Sequence, residues 1–272
     1  MNRVIVVMVL LWSLAPLAAA HAGETDREGS VAQPIGVRLA GELGFLAPLR
    51  HEVRYGEGGT TFDYVEEGGQ DVLFAFVRAS AELDLFERHR VTLLYQPLEI
   101  RTRETLERDL QVNDRMFSAG TGMEMLYSFP FWRVSYTYDL IGGGRHRLGL
   151  GGSMQIRNAT IDFVSGDGSQ VESNRNIGPV PLIRIHWRWD LDRVWFASEL
   201  DGIYAPIKYF NGGKSDTEGA LVDWSLRAGI ALPHGVDLYC NLRYLGGGAS
   251  SDDTYNWLHF LTISLGFGLK LL

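Results

Sequence analysis

From residue 34 onward the apolar residues of this 272-residue chain fall mainly on alternate positions, and no later segment is an unbroken apolar block of helix-spanning length. Period-two patterning puts residues i and i+2 on one face of a strand. Near the start, Val37, Leu39, Leu43 and Phe45 alternate with Arg38, Glu42 and Gly44. Further on, Val77, Ala79, Ala81, Leu83 and Leu85 oppose Arg78, Ser80, Glu82 and Asp84. Trp132, Val134, Tyr136 and Tyr138 stand against Arg133, Ser135, Thr137 and Asp139, and Val222, Trp224, Leu226 and Ile230 against Asp223, Ser225 and Arg227. One face is apolar and the other is charged. Strands of this kind can cross lipid only as a closed β-barrel, because closure satisfies every backbone donor and acceptor.

The beginning of the chain carries an export pattern. Met1-Asn2-Arg3 is a positive start, Val4 to Leu17 an apolar stretch, and Ala20-His21-Ala22 a small-x-small cleavage site. Residues 1–22 therefore read as a signal peptide, 23–33 as a flexible periplasmic lead-in, and 34–272 as one barrel domain. A net charge of -8 argues against a nucleic-acid partner, which needs clustered Lys and Arg. Cys240 is the single cysteine, so neither an intramolecular disulfide nor a multi-cysteine metal site can form. The apolar fraction of 46% suits a barrel whose strands face lipid on one side only, although it would suit a soluble protein equally.

Ten strand-like segments are predicted, near 34–46, 71–86, 90–103, 129–141, 146–162, 178–190, 193–206, 219–232, 235–246 and 256–272; eight or twelve are the alternatives. The fold class is thus all-β, an antiparallel up-and-down transmembrane barrel. Connections at 87–89, 142–145, 191–192 and 233–234 are tight, whereas 47–70, 104–128 and 163–177 are long, as expected of short periplasmic turns and long outer loops. Trp187 and Trp189 near one end, and Tyr204, Tyr244 and Trp257 near the other, are candidate headgroup girdles. The third strand loses phase at Pro97, where the outward set Val91, Leu93 and Tyr95 would give way to Leu98 and Ile100 through a bulge.

The last strand holds Ser264, Gly266, Leu269 and Leu271, a polar residue, a glycine two positions on, and two alternate hydrophobics. This resembles the C-terminal insertion signal of Gram-negative outer-membrane β-barrels, with Leu272 in place of the usual terminal aromatic. The resemblance implies an outer-membrane location, surrounding lipid, and recognition by the barrel-assembly machinery through this strand. No characterised subfamily is matched. Ten strands invite comparison with the omptins, outer-membrane proteases that use aspartates and a histidine at the outer rim. The raw material here is Asp201, Asp252, Asp253, His51 and His259, in no segment with that family's paired-aspartate or aspartate-x-histidine pattern. The histidine-x-serine arrangement of outer-membrane lipid A deacylases is absent, since Phe260 and Leu261 follow His259.

The main chemical feature is a set of inward charges of both signs: Arg38, Glu42, Arg78, Glu82, Asp84, Arg133, Asp139, Arg157, Arg184, Arg188, Glu199, Asp201, Asp223, Arg227, Asp237 and Arg243, with His186 among them. Mixed signs allow paired networks that offset the cost of burying charge, so a largely plugged polar lumen is expected. His89, His146 and His234 fall in or beside tight turns, and no pair has metal-site spacing. Gly142-Gly143-Gly144 and Gly246-Gly247-Gly248 do not lead from strand to helix, so they are not phosphate loops. Neither metal nor cofactor is called for, and no catalytic set is assigned. The functional expectation is a structural or surface-interacting outer-membrane barrel, monomeric in the simplest case. The alternatives are a narrow channel for small solutes and an outer-membrane hydrolase acting on lipid or peptide.

Overall fold

The alternating segments form a closed wall. The computed structural model describes residues 35–206 and 216–271; the expected leader, the lead-in and Leu272 lie outside the described residues. In chain order the strands are β1 (Ile35–Tyr55), β2 (Phe62–Asp63), β3 (Phe74–Leu85), β4 (His89–Gln96), β5 (Glu99–Thr105), β6 (Leu110–Val112), β7 (Arg115–Phe117), β8 (Gly122–Ser128), β9 (Phe131–Ile141), β10 (His146–Ser165), β11 (Val171–Leu191), β12 (Val194–Ala205), β13 (Glu218–Ala231), β14 (Val236–Ser250) and β15 (Thr254–Lys270). β4 runs on into β5 and β8 into β9, so these two pairs count as one wall strand each. Every wall strand pairs antiparallel with its sequence neighbour, and β15 closes onto β1 from Arg38↔Lys270 to Tyr55↔Thr254. The result is a ten-stranded, up-and-down, antiparallel barrel.

Outward side chains form the belt that lipid would cover. Leu39, Leu43, Phe45, Val77, Trp132, Val134, Ile183, Ile263 and Leu265 are all exposed, and the charged residues between them point inward. On β1 the apolar outward positions end at Leu49, beyond which Arg50, Glu52 and Arg54 face outward. A wall of roughly 9–11 residues per strand suffices to span the hydrocarbon. Most strands are longer than that, so they stand above the lipid at the end opposite the tight turns.

The bulge in this wall is not where the sequence put it. Leu94, Gln96, Leu98 and Ile100 are all buried, so the inward phase runs unbroken through Pro97. Leu98 and Ile100 face the interior instead of the lipid. What changes at Pro97 is the pairing: Pro130 lies on the facing strand, neither proline has an N–H to give, and the ladder stops. Phe129 N donates to Leu98 O at 2.7 Å across the gap, and pairing resumes between β5 and β8. Register does shift at Leu148/Gly149 in the β9–β10 ladder and at Pro48/Arg50 in β1, and the latter moves the inward set from Leu46 and Pro48 to His51, Val53 and Tyr55.

The long segments also differ from expectation. Residues 163–177 are the tip of the β10–β11 hairpin, with ladder pairs up to Val164↔Val171. The 47–70 segment extends β1 and then folds back, pairing β2 to β1 through Val53↔Phe62. Within 104–128, β6 and β7 form a small hairpin ahead of β8. These segments are not simply exposed loops, because they turn Val53, Tyr55, Phe62, Tyr64, Phe117, Met123, Met125 and Phe163 inward. Above the lipid, β5, β8, β10 and β11 make a four-stranded sheet whose inner face packs on these side chains.

Candidate functional site

The lumen has two tiers of opposite chemistry. At lipid level it is a charge network centred on Arg133, which is 1% exposed. β9 points this side chain across the barrel. There its Nη1 donates to Asp201 Oδ2 at 2.9 Å, its Nη2 lies 2.8 Å from Asp223 Oδ2, and its Nη2 also donates to Gln155 Oε1 at 2.6 Å. Arg184 on β11 adds a second donor to Asp201 at 2.7 Å and pairs with Glu199 at 2.9 Å. Arg243 on β14 holds Asp223 in a two-pronged contact, Nε at 2.5 Å and Nη2 at 2.8 Å, and donates to Gln96 at 2.8 Å. Such forked pairs are the strongest and most directional of the charge-assisted contacts.

A second cluster forms around Glu42. Its carboxylate accepts from Asn241 at 2.9 Å, Ser264 at 3.1 Å and Tyr239 at 3.2 Å, with Arg78 at 3.6 Å. Arg227 pairs with Glu199, beside His186. Toward the tight turns the pairs are Arg38 with Asp237 at 3.2 Å, Arg90 with Asp84 at 2.7 Å and Arg188 with Asp190 at 2.9 Å. Arg188 also lies 4.3 Å over the Trp195 ring. Asp139 is buried near this end, whereas Arg157 stands apart, over Phe129 at 5.6 Å.

The upper tier is apolar, which corrects the expectation of a polar lumen throughout. Tyr64, Tyr127 and Phe260 pack on His51, and Phe62 and Phe163 pack in turn on Tyr64, all of them essentially inaccessible. His51 stacks on Tyr64 with centroids 4.5 Å apart and meets Tyr127 edge-on at 4.2 Å. Its Nδ1–H donates to Gln70 Oε1 at 2.8 Å, which leaves Nε2 without a partner. The residue lies above the end of the lipid belt on β1. Burial lowers its pKa to about 4, against a smaller raising effect of the Gln70 contact, so the ring is neutral. Burial likewise pushes the Tyr64 hydroxyl well above its ordinary value.

The remaining predicted residues fall in separate places. Trp187 and Trp189 flank His146 at the tight-turn end, with ring centroids 6.4 and 5.7 Å away. At the other end, Tyr204 meets Glu218 at 3.1 Å, Tyr244 meets His259 Nδ1 at 2.6 Å on the outer surface, and Trp257 packs near Tyr255. Ser264 belongs to the Glu42 cluster, Gly266 lies under the Tyr239 ring, Leu269 pairs with Leu39, and Leu271 N donates to Val37 O at 2.8 Å. The residues that an omptin-like reading would need are dispersed. Asp201 is in the lower network, His51 in the upper core, His259 on the outer face, and Asp252 and Asp253 in the β14–β15 turn. No cluster of three potential metal ligands occurs among the described residues.

Several network members lie outside the set expected from inward charge. Gln96, Gln155, Asn241 and Tyr239 are inward partners of the arginines and of Glu42, and Arg90 and Arg147 line the tight-turn end. Their parity was available, since Gln96 follows Leu94 and Gln155 precedes Arg157 by two. Amides simply do not stand out against an apolar face as charges do.

No protein-family model and no curated protein matches the chain. Among solved structures, the outer membrane protease OmpT from Escherichia coli aligns over 90% of this chain and 99% of its own, at 10% identity and a TM-score of 0.55. An outer membrane channel from Pseudomonas putida F1 aligns over 91% and 100% at 10% identity, TM-score 0.41. The attachment invasion locus protein of Yersinia pestis aligns over 87% and 99% at 12% identity, TM-score 0.35. At these identities the likeness is one of fold. The chain has the architecture of Gram-negative outer-membrane β-barrels.

Proposed function

We propose that this chain is a non-conducting outer-membrane barrel that works through the sheet and hairpins standing above the lipid. The observation that carries this reading is the two-tier filling of the lumen. A solute crossing it would have to displace both the Arg133–Asp201–Asp223–Arg243 network and the aromatic core around His51. The upper core fixes the outer segments as a packed unit, so the outer face of β5, β8, β10 and β11 is a preformed surface. It carries Glu99, Arg101, Arg103, Glu124 and Arg175, charges of both signs that suit contact with other macromolecules. In the same reading Ser264, Gly266, Leu269 and Leu271 are what the barrel-assembly machinery would recognise, and the apolar belt takes outer-membrane lipid.

Conductance of the purified protein in planar bilayers tests this directly. A closed bilayer at all voltages is expected. Reproducible single-channel steps would reject the reading in favour of a narrow channel.

A further inference from the structure

A small cavity sits inside the barrel at the end carrying the tight turns, and its lining is unlike the rest of the lumen. Its volume is about 30 Å³, room for two or so waters or one small ion. Five arginines line it, Arg38, Arg90, Arg147, Arg188 and Arg227, against three carboxylates, Glu82, Glu199 and Asp237. Two of those carboxylates are already engaged, Glu199 by Arg184 and Arg227, and Asp237 by Arg38. Arg90 and Arg188 have their carboxylate partners, Asp84 and Asp190, outside the lining, so the excess of donors comes down to Arg147, His186 and Arg227.

Three observations locate that excess. First, Arg147 and Arg188 are directly opposite in the β10–β11 ladder and both line the cavity, a like-charge cross-strand pair that is unfavourable by itself. Arg188 has Asp190, whereas Arg147 makes no ion pair or hydrogen bond at contact distance with any described residue and is attracted by the Asp139 carboxylate only from further away. Second, His186 lines the cavity at 4% exposure and its Nδ1 has no partner. Its Nε2 lies 3.4 Å from Arg90 Nη1, which can only donate, so Nε2 accepts and the ring proton is on the unpartnered Nδ1. Third, the Arg227 Nε–H is buried without an acceptor. A ligand that only accepts hydrogen bonds and carries negative charge answers all three.

We infer that this cavity is a binding site for a small inorganic oxyanion of the phosphate or sulfate class, entered from the end with the tight turns and held by Arg147, Arg188 and His186. Glu82, which lines the same cavity and is not ion-paired, opposes the ligand and sets its affinity. The barrel wall separates the cavity from surrounding lipid, so the occupant is a free anion and not a headgroup.

The test is thermal unfolding of the full chain in phospholipid-free detergent, titrated with inorganic phosphate, with chloride at matched ionic strength as the reference. Phosphate is expected to raise the midpoint saturably above the chloride reference. Arg147→Gln, which breaks no hydrogen bond or ion pair at contact distance and removes only the longer-range attraction to Asp139, should weaken the apparent affinity by roughly tenfold or more, the loss of one charge-assisted contact. Glu82→Gln should tighten it. Phosphate-31 line broadening on the same three proteins gives a readout independent of stability. The absence of a saturable difference from chloride, or the same affinity in all three proteins, would overturn the site and leave ordered water as its occupant. That outcome would not touch the closed-lumen reading, which conductance tests separately.

Discussion

The lower network makes a quantitative demand that a double-mutant cycle at Asp223 and Arg243 can meet or fail. Asp223 is the anion between two guanidinium groups, Arg133 and Arg243, each 1% exposed. Asp223→Asn keeps the volume and removes the charge. Removing one partner of a buried pair typically costs about 3–5 kcal/mol, because the other charge is left desolvated and unpaired. Arg133 retains Asp201 and Gln155, and Arg243 retains Gln96, so the expected loss lies near the lower end, about 3 kcal/mol. Arg243→Met leaves Asp223 with Arg133 and should likewise cost about 3 kcal/mol. Combining the two removes both charges and leaves an amide beside an apolar side chain, so no unmatched charge is created. The double variant should therefore be more stable than the sum of the singles implies by about 2 kcal/mol. Independent sites add within roughly 0.5 kcal/mol, which sets the resolution needed. Urea unfolding of the refolded barrel in vesicles, followed by tryptophan fluorescence and by heat-modifiable gel mobility, measures all four corners. Additivity within that error would refute the view that these charges are held as one unit.

Two further outcomes follow from the same geometry. A Cβ built at Gly266 would lie 2.1 Å from the Tyr239 ring, so Gly266→Ala should destabilise the barrel by about 1–3 kcal/mol, and Tyr239→Ser in the same chain should recover part of that loss; equal unfolding midpoints for Gly266→Ala and the unmodified protein would show the ring free to move. His51 is neutral when folded, with its pKa held at about 4 below an unfolded value near 6.5, so protonation favours the unfolded chain. Its contribution is intact above about pH 6.5, falls as the pH drops toward 4, and levels off below that, with about 3 kcal/mol at stake. His51→Phe should flatten the stability profile across that interval, and an unchanged profile would move the acid sensitivity elsewhere.

How much of this was legible in the sequence depended on whether the signal was local. Alternation is local. Arg133, Ser135, Thr137 and Asp139 could be placed inside from their spacing alone, and all four are buried. Register and pairing partners are not local, so the meeting of Arg133 with Asp223 and Asp201, from strands far apart in the chain, could be anticipated only as a network of unspecified membership. Pro97 misled for a definite reason. Leu98 and Ile100 are apolar, and in a membrane strand an apolar residue reads as outward, yet at their height the interior is itself apolar, so hydrophobicity no longer distinguishes the faces.

That failure points to what divides the barrel into two tiers. Within the lipid, the outward face must be apolar, and a lumen of arginines and carboxylates keeps inward and outward faces chemically distinct, so a strand that slipped by one residue would present charge to hydrocarbon. Above the lipid that penalty vanishes. The outward positions turn charged, as Arg50, Glu52 and Arg54 do on β1, and the interior is free to become an ordinary hydrophobic core. The switch occurs where β1 shifts register at Pro48/Arg50, after which odd-numbered residues replace even-numbered ones inside. Without that shift Val53 and Tyr55 would face water and Arg54 would face the aromatic cluster. The bulge therefore lets one continuous strand serve two solvents, and across it the side chains filling the lumen change from charge pairs to aromatic rings.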